Sequence, residues 1–120
     1  MSKVLLVEDS LVESKKITEL LIKEGFYVFE VYSAEEAQLR LKQERPDLIL
    51  LDAVLPGQSG FELCRKLKNN PETNTIPIVI CSSRNKQLDR TWGNMSGADA
   101  YITKPVDKIN LVRTINQFIL

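Results

Sequence analysis

Asp47-Leu48-Ile49-Leu50-Leu51-Asp52 is the stretch on which the fold turns. Four aliphatic residues run without alternation, set after Pro46 and closed by a carboxylate. A strand with one wet face alternates apolar and polar residues. A continuous aliphatic run of this length belongs to a strand covered on both faces, the habit of parallel sheets. Asp47–Leu51 is therefore read as a buried strand, and Lys3–Val7 and Ile76–Cys81 read the same way. Tyr27–Tyr32 and Ala100–Thr103 are shorter strand-like runs. Amphipathic stretches separate them. Leu11–Lys23 carries Leu11, Ile17, Leu20 and Leu21 on a helical stripe and stops before Gly25. Ala34–Gln43 opens with Ser33 three residues before Glu36, a capping-box spacing. Gly60–Lys68, Lys86–Met95 and Asp107–Ile119 complete the set. Strand and helix alternate five times. This predicts an α/β fold, an open, doubly wound, five-stranded parallel sheet with five helices.

The chain has 120 residues, one domain's worth, so 1–120 reads as a single domain. Sixteen basic and sixteen acidic side chains balance, giving a net charge of +0. That argues against a basic nucleic-acid arm. There is no histidine, which excludes Ser-His-Asp and Cys-His mechanisms and His-ligated metals. Cys64 and Cys81 lack CxxC spacing and read as free, packed thiols. The N-terminal run Val4–Val7 is too short for a signal peptide or a membrane span. A cytoplasmic, reducing location without membrane insertion is expected.

Polar residues follow the strands in a pattern. Glu8-Asp9 follows the first, Asp52 the third, Ser82-Ser83 the fourth and Lys104-Pro105 the fifth. In a parallel sheet these strand ends share one edge, where open α/β sheets bind their ligands. Crowded carboxylates call for a hard cation such as Mg²⁺. A carboxylate can also act as a nucleophile, with a hydroxyl and an ammonium holding transferred phosphoryl oxygens.

These residues, in order and at fitting distances, resemble a response-regulator receiver domain of the single-domain, chemotaxis-regulator type. The matching stretches are Val4–Ser10, Leu48–Gly57, Gly60, Ile76–Ser83 and Gly97–Pro105. The resemblance implies a flavodoxin-like sheet in the order 2-1-3-4-5. It makes Asp52 the phosphoacceptor, Asp9 a direct Mg²⁺ ligand, and Glu8 a ligand through water. The backbone carbonyl of Val54 would complete the protein ligands. Ser82 and Lys104 would bind the phosphoryl group, with a cis bond before Pro105, and Ser82 and Tyr101 would be the switch residues. Two departures stand out: the acidic pair is Glu-Asp instead of the commoner Asp-Asp, and Ser stands in place of Thr at position 82. Asp89–Gly93, Thr103–Asp107 and Thr114–Asn116 resemble more closely the branch that governs pilus twitching motility or phototaxis.

The implied function is a phosphorylation-activated switch of a two-component system. A histidine kinase is the donor, and the output is a protein contact on the face of the fourth helix, fifth strand and fifth helix. No output domain is expected after Leu120, and no nucleic-acid partner. The chain would be a monomer or a phosphorylation-dependent dimer. It would not be an enzyme beyond accepting and losing its own phosphoryl group. Two other readings compete. One is a phosphorylation-independent docking module. The other is a haloacid-dehalogenase-type phosphatase, which wants an acid where Val54 stands. Individual residues carry local alternatives. Glu8 and Asp9 can cap the first helix, Ser10 with Glu13 also fits a capping box, and Ser83 could replace Ser82. Leu88, Trp92 and Met95 read as a core-facing stripe, with a binding hot spot as the other reading of Trp92, and Tyr101 reads as a half-buried aromatic.

Val54 cannot hydrogen-bond an attacking water, and Arg84 stands two residues beyond Ser82, where it could lie over the phosphoryl group. The phosphorylated protein with Mg²⁺ is therefore expected to lose phosphate slowly. A half-life of seconds, followed by phosphate release, would overturn this.

Overall fold

The computed structural model describes residues 2–83 and 95–119. Its sheet holds β1 (Lys3–Val7), β2 (Tyr27–Val31), β3 (Leu48–Asp52), β4 (Ile78–Ser82) and β5 (Ala100–Thr103). All neighbours pair in parallel, in the order β2-β1-β3-β4-β5. The helices among the described residues are α1 (Leu11–Lys23), α2 (Ala34–Leu41), α3 (Gly60–Lys68) and α4 (Lys108–Asn116). The further helix expected over Lys86–Met95, with Arg84, Leu88 and Trp92, lies outside the described residues except for Met95.

Each helix starts where a side-chain oxygen can take an orphan backbone N–H. Ser10, Ser33 and Ser59 accept from Glu13, Glu36 and Glu62, and Asp107 accepts from Asn110. Alternation along the strands then divides the core into two layers. Leu5, Val7, Ile49, Leu51 and Ile80 pack with Leu63 of α3 and Ala37 of α2. Val4, Leu6, Leu48 and Leu50 pack with Ile17 of α1 and Leu111 of α4. Burying a side chain of this size stabilises the fold by about 1.5–3 kcal/mol, so two dry faces hold the sheet between both helix layers. Cys64 and Cys81 are buried in opposite layers as free thiols.

The structure corrects some details. The third strand is shifted one residue, so Asp52 is its last member rather than its sequel. The fourth begins at Ile78 rather than Ile76. Ile76 closes a turn by donating to the Thr73 carbonyl, and Pro77 has no N–H to give a ladder. Met95, expected on a core-facing stripe, is 60% exposed; its neighbour Ser96 is buried beside the Cys64 thiol instead.

Gly60 opens α3 directly beneath the end of β3. A Cβ at this position would lie 2.0 Å from the Asp52 carbonyl oxygen. Gly60→Ala must push α3 off the strand, and it is expected to cost about 3 kcal/mol, the upper end of what overpacking typically costs. Urea denaturation of the two proteins checks this, and equal midpoints would contradict it.

Candidate functional site

The chain leaves β1 for β2 on one side and returns through β3 on the other, so the strand order reverses between β1 and β3. The crevice beyond these two strand ends is where open α/β sheets place their sites. Glu8 and Asp9 follow β1 there, and Asp52 ends β3. One carboxylate oxygen from each of Glu8, Asp9 and Asp52 lies within 4.8 Å of the others. Strand alternation explains the convergence. Leu6, Leu50 and Ile102 belong to one core layer, and Glu8, Asp52 and Lys104 each stand two residues beyond them.

Burial differs sharply across the cluster. Glu8 is 2% exposed and Asp52 7%, whereas Asp9 is exposed at the mouth. Lys104 reaches in from the end of β5. Its ammonium lies 2.6 Å from Glu8 Oε1 and 3.3 Å from Asp52 Oδ1. The second Glu8 oxygen, Oε2, accepts from the Ser10 backbone N–H at 3.2 Å. The Lys104 backbone is fixed as well, since its N–H donates to the Ser82 carbonyl at 2.8 Å. The Lys104–Pro105 bond is cis, as expected.

These contacts set the charge states. Burial pushes the Asp52 carboxyl up, the Glu8 charge adds to that, and Lys104 offsets only part of it; the result is about 7. For Lys104, desolvation pulls the ammonium down, but Glu8 and Asp52 outweigh it and raise its pKa. Removing one partner from a buried ion pair typically costs about 3–5 kcal/mol, so Lys104 is what makes two buried carboxylates tolerable here. A set of carboxylate oxygens this close is the donor chemistry of a hard divalent cation.

The remaining residues sort by position. Ser82 is buried at the end of β4 while Ser83 is exposed, which separates the two hydroxyls the sequence left open. Ser82 stands two residues beyond Ile80, whose layer is also the one Tyr101 packs against. Val54 is 51% exposed, beside buried Leu55. The Ser10 backbone amide was missed as a site group. Its only sequence signal was that Ser10 caps α1, which hid its second task of steadying Glu8.

The family model for the response regulator receiver domain matches residues 4–116. The chain belongs to that family. It is 39% identical to Protein PilH of Pseudomonas aeruginosa over 116 residues, covering 97% of this chain and 96% of PilH. Among solved structures, a putative response regulator from Chloroflexus aurantiacus superposes with a TM-score of 0.94 at 27% identity, over 98% of this chain and 96% of the other. The receiver domain of a sensor histidine kinase from P. aeruginosa gives 0.91 at 28% identity, over 98% and 97%. That receiver was crystallised with a magnesium ion coordinated in its active site cleft. The receiver fold, with the sheet order 2-1-3-4-5, is thus shared with proteins of two-component signalling. No helix among the described residues is long and apolar enough to cross a membrane.

The raised Asp52 pKa has a consequence for stability. Between about 4, its unfolded value, and about 7, the folded state holds a proton that the unfolded state has lost, so stability falls as pH rises through that window. Asp52→Asn removes this titration. Without divalent cations the variant is expected to be more stable than the unmutated protein at about pH 8, the difference shrinking towards about pH 4. Urea denaturation at both pH values measures it, and a constant difference would contradict the assignment.

Proposed function

We propose that the chain is a phosphorylation-activated switch in which Asp52 is the phosphoacceptor. The observation that carries this is the buried Asp52 carboxylate, held 3.3 Å from the Lys104 ammonium and clustered with Glu8 and Asp9 at the switch point of the sheet. Asp52 attacks the phosphorus of a phosphohistidine on a partner kinase. The new P–O bond forms on the carboxylate as the P–N bond to the imidazole breaks, and the imidazole leaves. Asp9 and Asp52, the Val54 carbonyl, and Glu8 through water would hold Mg²⁺. When bound, that ion supplies charge neutralisation for the carboxylate and phosphoryl oxygens. Lys104 and the Ser82 hydroxyl bind the phosphoryl oxygens, so two groups on separate strands are drawn to one new anion.

The output follows from where Ser82 and Tyr101 sit. Ser82 ends β4, Tyr101 lies on the neighbouring β5, and the register pairs Ile80 with Tyr101 and Ser82 with Thr103. A pull on Ser82 is therefore felt one strand away by a half-buried ring. That biases an existing equilibrium between two arrangements of Tyr101. The signal is read by a protein partner on the face of β5, α4 and the helix expected over Lys86–Met95. The likeness to PilH along nearly the whole of both chains supports a place in pilus motility. Balanced charge and the lack of a membrane-crossing helix among the described residues are compatible with a cytoplasmic partner protein.

Purified protein incubated with Mg²⁺ and acetyl phosphate is expected to gain one phosphoryl group by intact mass. The adduct should be labile in alkali and absent from Asp52→Asn. Lys104→Arg keeps the charge but changes its shape, and it is expected to slow labelling about tenfold or more. A folded, Mg²⁺-binding protein that takes up no phosphate would favour the docking module. Uptake retained in Asp52→Asn would move the acceptor elsewhere.

A further inference from the structure

Glu8 does more in this structure than add a carboxylate to the cluster. Of the two anions Lys104 touches, Glu8 is nearer by a clear margin, 2.6 Å against 3.3 Å for Asp52. Both Glu8 oxygens are engaged by the chain itself, Oε1 by the ammonium and Oε2 by the Ser10 amide. The residue is 2% exposed, so bulk solvent hardly reaches either bond. Ser10 in turn caps α1 through its side chain, which anchors the amide that grips Glu8. Asp52, by contrast, meets Lys104 through Oδ1.

We propose that Glu8 is a positioning residue that draws the Lys104 ammonium to itself in the resting protein, so that Asp52 keeps only the longer, 3.3 Å contact. The inference rests on the receiver reading above and deepens it. The longer glutamate arm is what makes the grip possible. An aspartate at position 8 is shorter by one carbon–carbon bond, about 1.5 Å, and would leave the ammonium outside hydrogen-bond reach. Lys104 would then settle on Asp52 as its nearest anion. A cation approaching Asp52 would have to displace that ammonium first. With Glu8 in place, Lys104 is parked nearby on a second anion, and Asp52 is more open to the cation. When a phosphoryl group arrives, the ammonium changes partners across a short distance, from Glu8 to a phosphoryl oxygen. In this arrangement Glu8 contributes to the site more through Lys104 than through the water that would link it to the metal.

The test is Glu8→Asp, which keeps the charge and alters only the reach. Mg²⁺ affinity of the unphosphorylated protein is measured by calorimetry. The Lys104 ammonium is followed by nitrogen-detected NMR, its resonance assigned by its loss in Lys104→Gln. Glu8→Asp is expected to bind Mg²⁺ about tenfold more weakly, the low end of what a change outside the direct ligands costs a metal site. Adding Lys104→Gln should raise affinity far more in the Glu8→Asp protein than in the unmutated one, because there the ammonium has Asp52 as its nearest anion. The Lys104 resonance should shift in Glu8→Asp before any metal is added. Should Glu8→Asp fail to fold, Glu8→Gln keeps the length and drops the charge, and the same resonance is expected to shift. Unchanged or tighter Mg²⁺ binding by Glu8→Asp, equal gains from Lys104→Gln in both backgrounds, or an unmoved resonance each overturn the proposal. If the unmutated protein does not bind Mg²⁺ at all, the metal reading itself fails and takes this one with it. An intact metal site with an insensitive Glu8 overturns this inference alone.

Discussion

The Lys104 ammonium is the group on which the rest of the site depends. Glu8 and Asp52 are both buried, and two carboxylates taken out of water repel one another and lose their hydration. One cation placed between them offsets both penalties, and its backbone is tied to β4 through the Ser82 carbonyl. The offset is incomplete, and Asp52 stays protonated more readily than an ordinary aspartate. A site left short of positive charge in this way has room for a further cation. The electrostatic deficit and the function point in the same direction.

The fold supplies the rigidity that this balance requires. Both faces of the central strands are dry, so β1, β3 and β4 cannot slide or rotate without exposing a whole layer of aliphatic side chains. The helices are fixed in turn by their caps, and α3 approaches β3 so closely that only glycine fits at position 60. The site itself stands on loops and strand ends, where side chains can exchange partners while the scaffold does not move.

Much of this was legible in the residues. The run Leu48–Leu51 announced a strand buried on both faces, and the serines three residues ahead of Glu13 and Glu36 announced helix starts. Failures of the reading have local causes. Ile76 looked like strand because it is aliphatic, but Pro77 deprives the ladder of a donor and the strand begins after it. Met95 looked buried because helical spacing linked it to Leu88 and Trp92, yet Ser96 takes the inward position. Spacing sets relative phase, and it does not say which phase faces the core.

The sequence by itself determined the element types, the parallel sheet and the gathering of Glu8, Asp9, Asp52 and Lys104 at one edge. Those follow from periodicity and from the geometry of parallel strands, both local or nearly so. Only the tertiary structure decided how the charges pair. Lys104 and Glu8 stand 96 residues apart, and which carboxylate the ammonium prefers depends on differences of less than an ångström. Such differences arise from strand register, from the Ser10 amide that orients Glu8, and from one extra methylene in its side chain. The methylene can be read in the sequence, but its effect on the pairing, like the other two causes, shows only once the chain has closed on itself.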